Sequence, residues 1–373
     1  MTTAPLTAEE VRDADLAYIA DSLETELPLM EGGRLLVTGG AGFLGYYLIQ
    51  SVLHWNDTRG GRPIVVTLVD NFRRGAPSWL ESLGDRPDLD LVTHDITLPL
   101  PPTVQPADFV IHAAGIASPG LYRQIPIETM DANVGGLRRL LDASVSWTES
   151  KAPLKGFLFY SSSEIYGDPV PDEIPTPETY RGNVSCTGPR ACYDESKRYG
   201  ETLAVNFARV HSLPITIARP FNNYGPGMKI NDGRVIADFC GAVVEGRDVV
   251  MFSDGSPTRT FCYVADAVVG YFKVLVRGAA GEPYNIGTDA PEISMRELAD
   301  RIVAAGRDLF DYRGSLVIEE NAEADYLVDN PGRRCPDLTK ARTTLNYNPA
   351  IGLDEGIRRT LQWYAGNRTG VGV

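Results

Sequence analysis

Tyr193 and Lys197 stand four residues apart, a spacing that puts a phenol and an ammonium group on one face of a helix. A nearby cation stabilises a phenolate and lowers the tyrosine pKa from its usual value of about 10. A phenol of that kind can take the proton of a sugar hydroxyl near neutral pH. A surface tyrosine lying over a lysine is the simpler interpretation, and a nucleotide-binding fold upstream of the pair favours catalysis.

Gly39, Gly42 and Gly45 lie between a short apolar run at 34–38 and an apolar segment at 46–54. This order predicts a strand, a glycine turn and a helix. Without side chains, the turn lets the backbone approach a pyrophosphate at the positive N-terminus of the helix. The glycines therefore indicate a dinucleotide-binding site.

Asp70 ends the next apolar run, at 64–69. A carboxylate at this place accepts hydrogen bonds from a ribose 2′-hydroxyl and repels a 2′-phosphate, so it favours NAD over NADP. The alternative is that Asp70 caps a loop and that Arg73 and Arg74, which follow it, admit NADP. Asp95 ends the third apolar run and is predicted either to meet the adenine edge or to cap a turn.

A serine-rich segment at 161–167 begins where the apolar run 156–160 ends. Ligands of open α/β sheets bind at the carboxyl ends of the strands. Ser162 is therefore predicted to share the proton of the substrate hydroxyl with Tyr193, and Glu164 to lie nearby. A serine-rich turn with an exposed glutamate is the alternative interpretation of the same residues.

These residues need a scaffold in which apolar strands alternate with helices. Such a pattern predicts an α/β fold with a Rossmann-type doubly wound parallel sheet and a smaller mixed α/β substrate domain. The predicted strands and helices are 34–38, 64–69, 90–94, 109–112, 156–160, 213–219 and 249–252 for the strands, and 8–27, 46–54, 127–144, 192–210, 236–245, 295–304 and 353–365 for the helices.

The chain divides into an N-terminal extension at 1–32, a mainly NAD-binding domain at 33–222 and a mainly nucleotide-sugar-binding domain at 223–373. The proline- and glycine-rich stretch 167–190 is predicted to be an ordered loop excursion. Residues near 258–276 are predicted to return to the first domain. The extension carries no catalytic pattern, so we expect it to be a packing arm or an oligomer contact.

Composition excludes several other classes of function. The chain has 35 Lys and Arg against 49 Asp and Glu, for a net charge of −14, which disfavours binding to nucleic acid or anionic lipid. No apolar run is long enough to span a membrane and no signal pattern is present, so we expect a cytoplasmic protein. Four histidines without ligand spacing and five cysteines without a CxxC pair predict neither a metal site nor a disulfide framework.

Six segments together resemble the extended short-chain dehydrogenase/reductase family across about residues 33–365. These segments are TGGAGFLG, YSSSEIYGDP, GPRACYDESKR, RPFNNYGPGMKINDGRV, DGSPTRTFCYVAD and RRCPDLTKA. Within the family, the Ser-Ser-Glu element with the NDGRV and RxPD segments is similar to the enzymes that decarboxylate UDP-glucuronate. The resemblance implies NAD as cofactor, a UDP-sugar as substrate and a homodimer paired through the helix that carries Tyr193 and Lys197.

The resemblance also implies roles for individual residues. Tyr193 would deprotonate the sugar 4-hydroxyl while NAD accepts hydride from C4, and loss of carbon dioxide from the 4-ketone would precede hydride return and give UDP-xylose. The implied catalytic residues are Tyr193, Lys197, Ser162, Ser163, Glu164 and Arg334. The implied cofactor-binding residues are Gly39, Gly42, Phe43, Leu44, Gly45, Asp70, Asn71, Asp95, Ile96, Ala113, Ala114, Asn133, Tyr193 and Lys197. The implied substrate-binding residues are Ser118, Tyr122, Glu164, Asn222, Arg234, Arg259, Tyr263 and Arg334.

Two other functions share most of these features. A 4-epimerase or a 4,6-dehydratase would use the same hydride shuttle, but related dehydratases place an aspartate before the glutamate, where this chain has Ser163. A sensor that binds NAD or a nucleotide sugar without turnover is a more remote alternative, disfavoured by the intact Ser162, Tyr193 and Lys197.

Overall fold

The computed structural model describes residues 5–230, 232–319 and 328–367. Four stretches lie outside the described residues, namely 1–4, Asn231, 320–327 and 368–373. The first belongs to the predicted extension, Asn231 to the NDGRV segment, and the last two to the predicted sugar-binding domain.

Fourteen strands are present in the described residues. They are β1 (Arg34–Thr38), β2 (Val65–Asp70), β3 (Leu89–Thr93), β4 (Phe109–His112), β5 (Gly156–Tyr160), β6 (Ile215–Pro220), β7 (Asn223–Tyr224), β8 (Val249–Met251), β9 (Thr258–Arg259), β10 (Cys262–Tyr263), β11 (Pro283–Ile286), β12 (Ile293–Ser294), β13 (Leu316–Ile318) and β14 (Arg333–Arg334).

Twelve α-helices accompany them in the same part of the chain. They are α1 (Ala8–Ser22), α2 (Phe43–Thr58), α3 (Ser78–Ser82), α4 (Pro119–Gln124), α5 (Pro126–Met130), α6 (Leu137–Glu149), α7 (Ala191–His211), α8 (Val235–Glu245), α9 (Val264–Arg277), α10 (Met295–Phe310), α11 (Thr339–Leu345) and α12 (Leu353–Gly366). None of these helices is both long and apolar enough to cross a membrane.

Seven parallel strands form the central sheet, in the order β11-β6-β5-β4-β1-β2-β3. The inner strands β4 and β5 are buried at every residue, as expected of strands covered by helices on both faces. The strand order reverses between β1 and β4, where ligands of doubly wound folds bind. The predicted fold class is therefore confirmed.

Strand β11 is the element of the central sheet that the sequence did not predict. It pairs with β6 from Pro283–Ile217 to Ile286–Pro220, more than sixty residues along the chain. Helix α9 packs against β5 and β6, and the predicted return of the chain to the first domain near 258–276 stays a prediction. The predicted helix at 127–144 is instead α5, a π-helical turn over Asp131–Gly136 and α6.

The N-terminal extension packs on the body of the protein as an ordered arm. Thr7 and Glu10 form a capping box that begins α1, and the helix ends at Ser22, before the predicted residue 27. Helix α1 contacts α2, α9 and α12, and its buried Val11 and Ile19 join the main apolar core. The alternative of a packing arm thus describes what this segment does within one chain.

Short strands from the second half of the chain bring two arginines together. Strand β9 pairs with β14 in parallel, with Arg259 opposite Arg334. Two positive side chains in register repel one another unless anions lie nearby. The division of the chain into domains at residue 222 stays a prediction.

Candidate active site

A cavity of about 650 Å³ opens at the carboxyl ends of β1, β2, β4 and β5. Nearly all of the predicted site residues line it. They are Gly39, Gly42, Phe43, Leu44, Gly45, Asp70, Asn71, Asp95, Ile96, Ala113, Ala114, Ser118, Tyr122, Ser162, Ser163, Glu164, Tyr193, Lys197, Asn222, Arg234, Arg259 and Arg334.

At one end of this cavity, the glycine turn leads from β1 into α2. Gly39 has a positive φ of 73°, and a Cβ added to it would lie 2.6 Å from the Ala114 backbone. A Cβ on Gly45 would lie 2.0 Å from the Gly40 carbonyl oxygen, so the turn tolerates no side chain there. Gly42 is the N-cap of α2, which points its free backbone N–H groups into the cavity mouth. This cradle fits a dinucleotide pyrophosphate.

Asp70 closes the same end of the cavity. Its carboxylate accepts hydrogen bonds from the Ala41 amide at 3.0 Å and the Phe72 amide at 2.8 Å. Burial raises the pKa of this carboxyl group, and the backbone amides oppose the rise. Asp95 accepts from the Thr97 amide and hydroxyl at 2.9 and 2.7 Å, so it caps its turn while lining the cavity.

Tyr193 and Lys197 lie on α7 and face the middle of the cavity. The Tyr193 ring stacks on Tyr122, with centroids 5.1 Å apart and an interplanar angle of 12°. The Lys197 ammonium lies 5.7 Å from the Tyr193 ring centroid and donates to the Tyr160 carbonyl oxygen at 2.8 Å. Ser162 hydrogen-bonds the Tyr193 phenol. The arrangement brings the Tyr193 phenol, the Ser162 hydroxyl and the Lys197 ammonium together, and Tyr193 and Lys197 share one helix face as their spacing predicted.

The predicted lowering of the Tyr193 pKa is wrong for the protein alone. Burial raises the pKa of Tyr193 to about 12, and the hydrogen bond from Ser162 only partly opposes this rise. Burial also lowers the pKa of Lys197 to about 8, because removal from water disfavours the charged ammonium. The four-residue spacing of Tyr193 and Lys197 predicts the helix face on which they lie, but it cannot predict how deeply the fold buries them.

Glu164 is the centre of a charge cluster at the other end of the cavity. It sits in the 3₁₀ turn Ser163–Tyr166 directly after β5. One carboxylate oxygen accepts from Arg190 at the start of α7 and from Arg334 on β14, the latter at 2.6 Å. Burial raises the pKa of Glu164, but the charges of Arg190, Arg334 and Arg259 outweigh burial and lower the pKa to about 2. Glu164 is thus a carboxylate throughout the neutral range.

Arg190 and Asp194 belong to this cluster and were not among the predicted site residues. The Arg190 Nε lies 3.7 Å from an Asp194 carboxylate oxygen. The other Asp194 oxygen has no hydrogen-bond partner among the described residues. Burial and the neighbouring charge of Glu164 raise the pKa of Asp194 to about 7. Their four-residue spacing on the Tyr193 helix is the signal that could have identified them.

The remaining predicted substrate arginines also have partners within the protein. Arg259 donates to the carbonyl oxygens of Pro331 and Gly332 at 2.5 and 3.2 Å. Arg234 pairs with Asp232 at 2.5 Å. Asn222, with a φ of 42°, donates to the Thr260 carbonyl oxygen at 2.8 Å and presents its own oxygen 3.4 Å from Arg334.

Two predicted site residues lie away from the cavity surface. Tyr263 is fully buried, and its hydroxyl donates to Asp15 on α1 at 2.6 Å. Asn133 is also buried and donates to the Ser196 hydroxyl at 2.8 Å, so it lies behind the cavity wall that Gly115 forms. The sequence motif places both residues near the site but not the direction of their side chains.

Residues 35–287 match the model of the NAD-dependent epimerase/dehydratase family. A UDP-glucuronic acid decarboxylase 1 from Arabidopsis thaliana is 36% identical over 326 residues, which cover 87% of this chain and 68% of the relative. A solved UDP-glucose 4-epimerase from Thermotoga maritima, with UDP-glucose, has a TM-score of 0.73 at 25% identity and covers 89% of this chain and 98% of its own. The dTDP-glucose 4,6-dehydratase DesIV from Streptomyces venezuelae, solved with NAD and TYD bound, has a TM-score of 0.75 at 25% identity, with coverages of 90% and 98%.

The family match covers well over half of the chain, and it includes the glycine turn, Asp70 and the Tyr193–Lys197 pair. The predicted resemblance and the prediction of NAD as cofactor are confirmed by this match. This chain therefore belongs to the NAD-dependent epimerase/dehydratase family.

Proposed function

We propose that this protein decarboxylates UDP-glucuronate to UDP-xylose with NAD recycled in each turnover. The observation that carries the proposal is the position of Glu164, held by Arg190 and Arg334 in the same cavity as Ser162 and Tyr193. The relatives named UDP-glucuronic acid decarboxylase, at 33–36% identity, support it.

The glycine turn, Asp70 and the segment around Ala113 would hold NAD, with the pyrophosphate at the N-terminus of α2. When bound, NAD takes hydride from C4 of the sugar and returns it later in the same turnover. Ser118, Tyr122, Asn222, Arg234 and Arg259 would hold the nucleotide and its diphosphate.

Tyr193 would accept the proton of the 4-hydroxyl. Its phenol has a pKa of about 12 in the protein alone, so it is protonated at rest and needs stabilisation of the phenolate. Ser162, which hydrogen-bonds the phenol, and Lys197, whose ammonium lies 5.7 Å from the ring, are the groups positioned to supply it. When the hydride returns to C4, the 4-oxygen needs a proton again, and the Tyr193 phenol is positioned to return the one that it took.

Oxidation at C4 makes the C6 carboxylate β to a ketone. Breaking the bond between C5 and C6 then leaves its electrons in an enolate, and protonation at C5 gives a 4-ketopentose. Arg190, Arg259 and Arg334 outnumber the ionised Glu164, so the cluster has positive charge available for a substrate carboxylate. Glu164 competes with that carboxylate for Arg334, and this competition weakens a ground-state ion pair that would oppose loss of the charge.

A 4-epimerase or 4,6-dehydratase is the second candidate, because solved neighbours at 25% identity carry those names. Ser163 stands directly before Glu164, and a serine hydroxyl is a poor acid for protonating a departing hydroxyl group. The cluster thus favours loss of carbon dioxide over loss of water.

Incubation with UDP-glucuronate, followed by mass measurement of the products, tests the proposal. We expect a UDP-pentose lighter by one carbon dioxide, with no net NADH. Tyr193→Phe should abolish its formation while the protein still binds NAD. A UDP-hexuronate epimer or a product that keeps six carbons would refute the proposal.

We further propose that the protein is a cytoplasmic homodimer. Helices α5 and α7 carry exposed apolar side chains, namely Ile127, Met130, Tyr199, Val205 and Val210, which a partner subunit would cover. The five cysteines are all free, as expected in a reducing compartment. Sedimentation of the wild type against Tyr199→Glu tests the dimer, since a buried charge at that face should give monomers.

A further inference from the structure

Arg74 connects the two walls of the cavity at its cofactor end. It belongs to the loop after β2 that turns back at Phe72, where φ is 50°. Its guanidinium donates to the Asp232 carboxylate at 3.0 Å, and Asp232 lies in the segment that precedes α8. Lys229, from the same segment, donates to the Arg74 carbonyl oxygen at 2.5 Å. Two hydrogen bonds therefore cross from the cofactor side to the substrate side.

Asp232 shares its carboxylate between two arginines. One oxygen accepts from Arg74 and the other from Arg234 at 2.5 Å, and the Asp232 side chain is 1% exposed. The Asp232 carbonyl oxygen accepts from the Ser118 hydroxyl at 2.8 Å. Without Arg74, this buried carboxylate would keep Arg234 as its remaining arginine partner among the described residues. Arg74 thus affects both the loop beside Asp70 and an arginine proposed to bind the diphosphate.

The geometry points to Arg74 as a positioning residue that ties the loop after Asp70 to Asp232 and so keeps the reduced dinucleotide in the cavity until the hydride has returned. This inference rests on the proposed function and adds a residue that the family motifs do not contain. The Arg74 side chain is 44% exposed, so we expect a graded change in retention and not a complete loss.

The chemistry makes early release visible. In a complete turnover, UDP-glucuronate and one proton from solvent give UDP-xylose and carbon dioxide, and NAD is unchanged. If the dinucleotide leaves after decarboxylation, C4 has lost a hydride and its hydroxyl group a proton. C5 has gained a proton in place of the carboxylate, and the hydride has left as NADH. The products are then UDP-4-ketopentose, carbon dioxide and NADH, one of each per UDP-glucuronate and NAD⁺ consumed.

Two measurements on the full chain test the inference, each with Arg74→Ala, Arg74→Lys and Arg313→Ala. The first is the dissociation rate of NADH without substrate, followed by its fluorescence during a chase with NAD⁺. The second is the fraction of turnovers that release NADH and UDP-4-ketopentose. Arg313→Ala is the control, because it removes the same charge from an exposed side chain that pairs with Asp311 and is not among the described residues that line the cavity.

We expect Arg74→Ala to raise the NADH dissociation rate about three- to tenfold and to raise the fraction of early release. Arg74→Lys, which can keep the single bond to Asp232, should recover most of the retention, and Arg313→Ala should stay within about twofold of the wild type. The inference is wrong if Arg74→Ala retains NADH as the wild type does, or if Arg313→Ala loses it equally. If the proposed function is wrong, the wild-type protein will form no UDP-pentose. The NADH dissociation rates would still test the contact between Arg74 and Asp232.

Discussion

Asp15 in the arm and Glu164 in the cavity are both carboxylates held by arginine. Asp15 on α1 is fully buried and accepts from Tyr47 and Tyr263 at 2.6 Å each and from Arg359 at 2.5 Å. Glu164 is 16% exposed toward the cavity and accepts from two arginines. Burial raises the pKa of Asp15, whereas the arginines lower the pKa of Glu164 to about 2.

The difference lies in which donors satisfy each carboxylate. Asp15 is surrounded by two neutral hydroxyls and one cation, so its charges balance and no further ligand is needed. Glu164 faces more positive charge than it can neutralise, because Arg259 lies in register with Arg334 behind it. A balanced buried carboxylate fixes one segment to another, whereas an unbalanced cluster on a cavity is suited to bind an anion.

Glu164→Gln, in the cavity, should have a larger effect on activity than Asp15→Ala or Asp194→Asn. The amide cannot compete as an anion for Arg334, so the substrate carboxylate would form the full ground-state ion pair with that arginine, and we expect turnover of UDP-glucuronate to fall about 10²-fold or more. Binding should persist because the arginines remain, and it is measured as a rise in melting temperature with UDP-glucuronate. The exposed Glu195→Gln on α7 controls for the lost charge. Turnover within threefold of the wild type would remove Glu164 from the reaction.

Asp15→Ala, in the arm, should lower the stability of the protein and leave its activity nearly unchanged. It strips Arg359, Tyr47 and Tyr263 of their shared acceptor, which we expect to lower the free energy of unfolding by about 3 kcal/mol. Denaturant unfolding gives this loss, and activity per folded molecule should change less than threefold. Asp13→Ala, on the same helix but exposed, should change neither quantity. A large loss of turnover without unfolding would mean that the arm acts on the site.

Asp194→Asn, beside the Glu164 cluster, should have a smaller effect on stability that depends on pH. Folding raises the pKa of Asp194 to about 7 from its usual 3.8, so the stability from this group is present below about pH 4 and is lost as the pH rises through 7. The amide does not titrate, and we expect Asp194→Asn to melt above the wild type at pH 8, with the difference shrinking toward pH 5. Thermal melts across this range measure it. A difference independent of pH would show that Asp194 does not titrate in this window.

Much of the fold could be predicted because its signals are local. The apolar runs that predicted β1, β4 and β5 coincide with the strands, and the spacing of Tyr193 and Lys197 put both on the cavity face of α7. Strand β11 escaped prediction because it is short and begins with proline, and its partner β6 is distant in the chain. Tyr263 was assigned to the substrate by its motif, but the direction of its side chain depends on Asp15 in an arm outside that motif.

Local sequence was enough to predict six strands of the central sheet, the glycine turn and the helix face of Tyr193 and Lys197, since each depends on residues a few positions apart. The protonation states of Glu164 and Tyr193 depend on the folded structure. Glu164 contacts arginines 26 and 170 residues away along the chain, and these contacts lower its pKa. Burial removes Tyr193 from water and raises its pKa. Electric fields and desolvation depend on distance in space, and the position of a residue along the chain does not contain that distance.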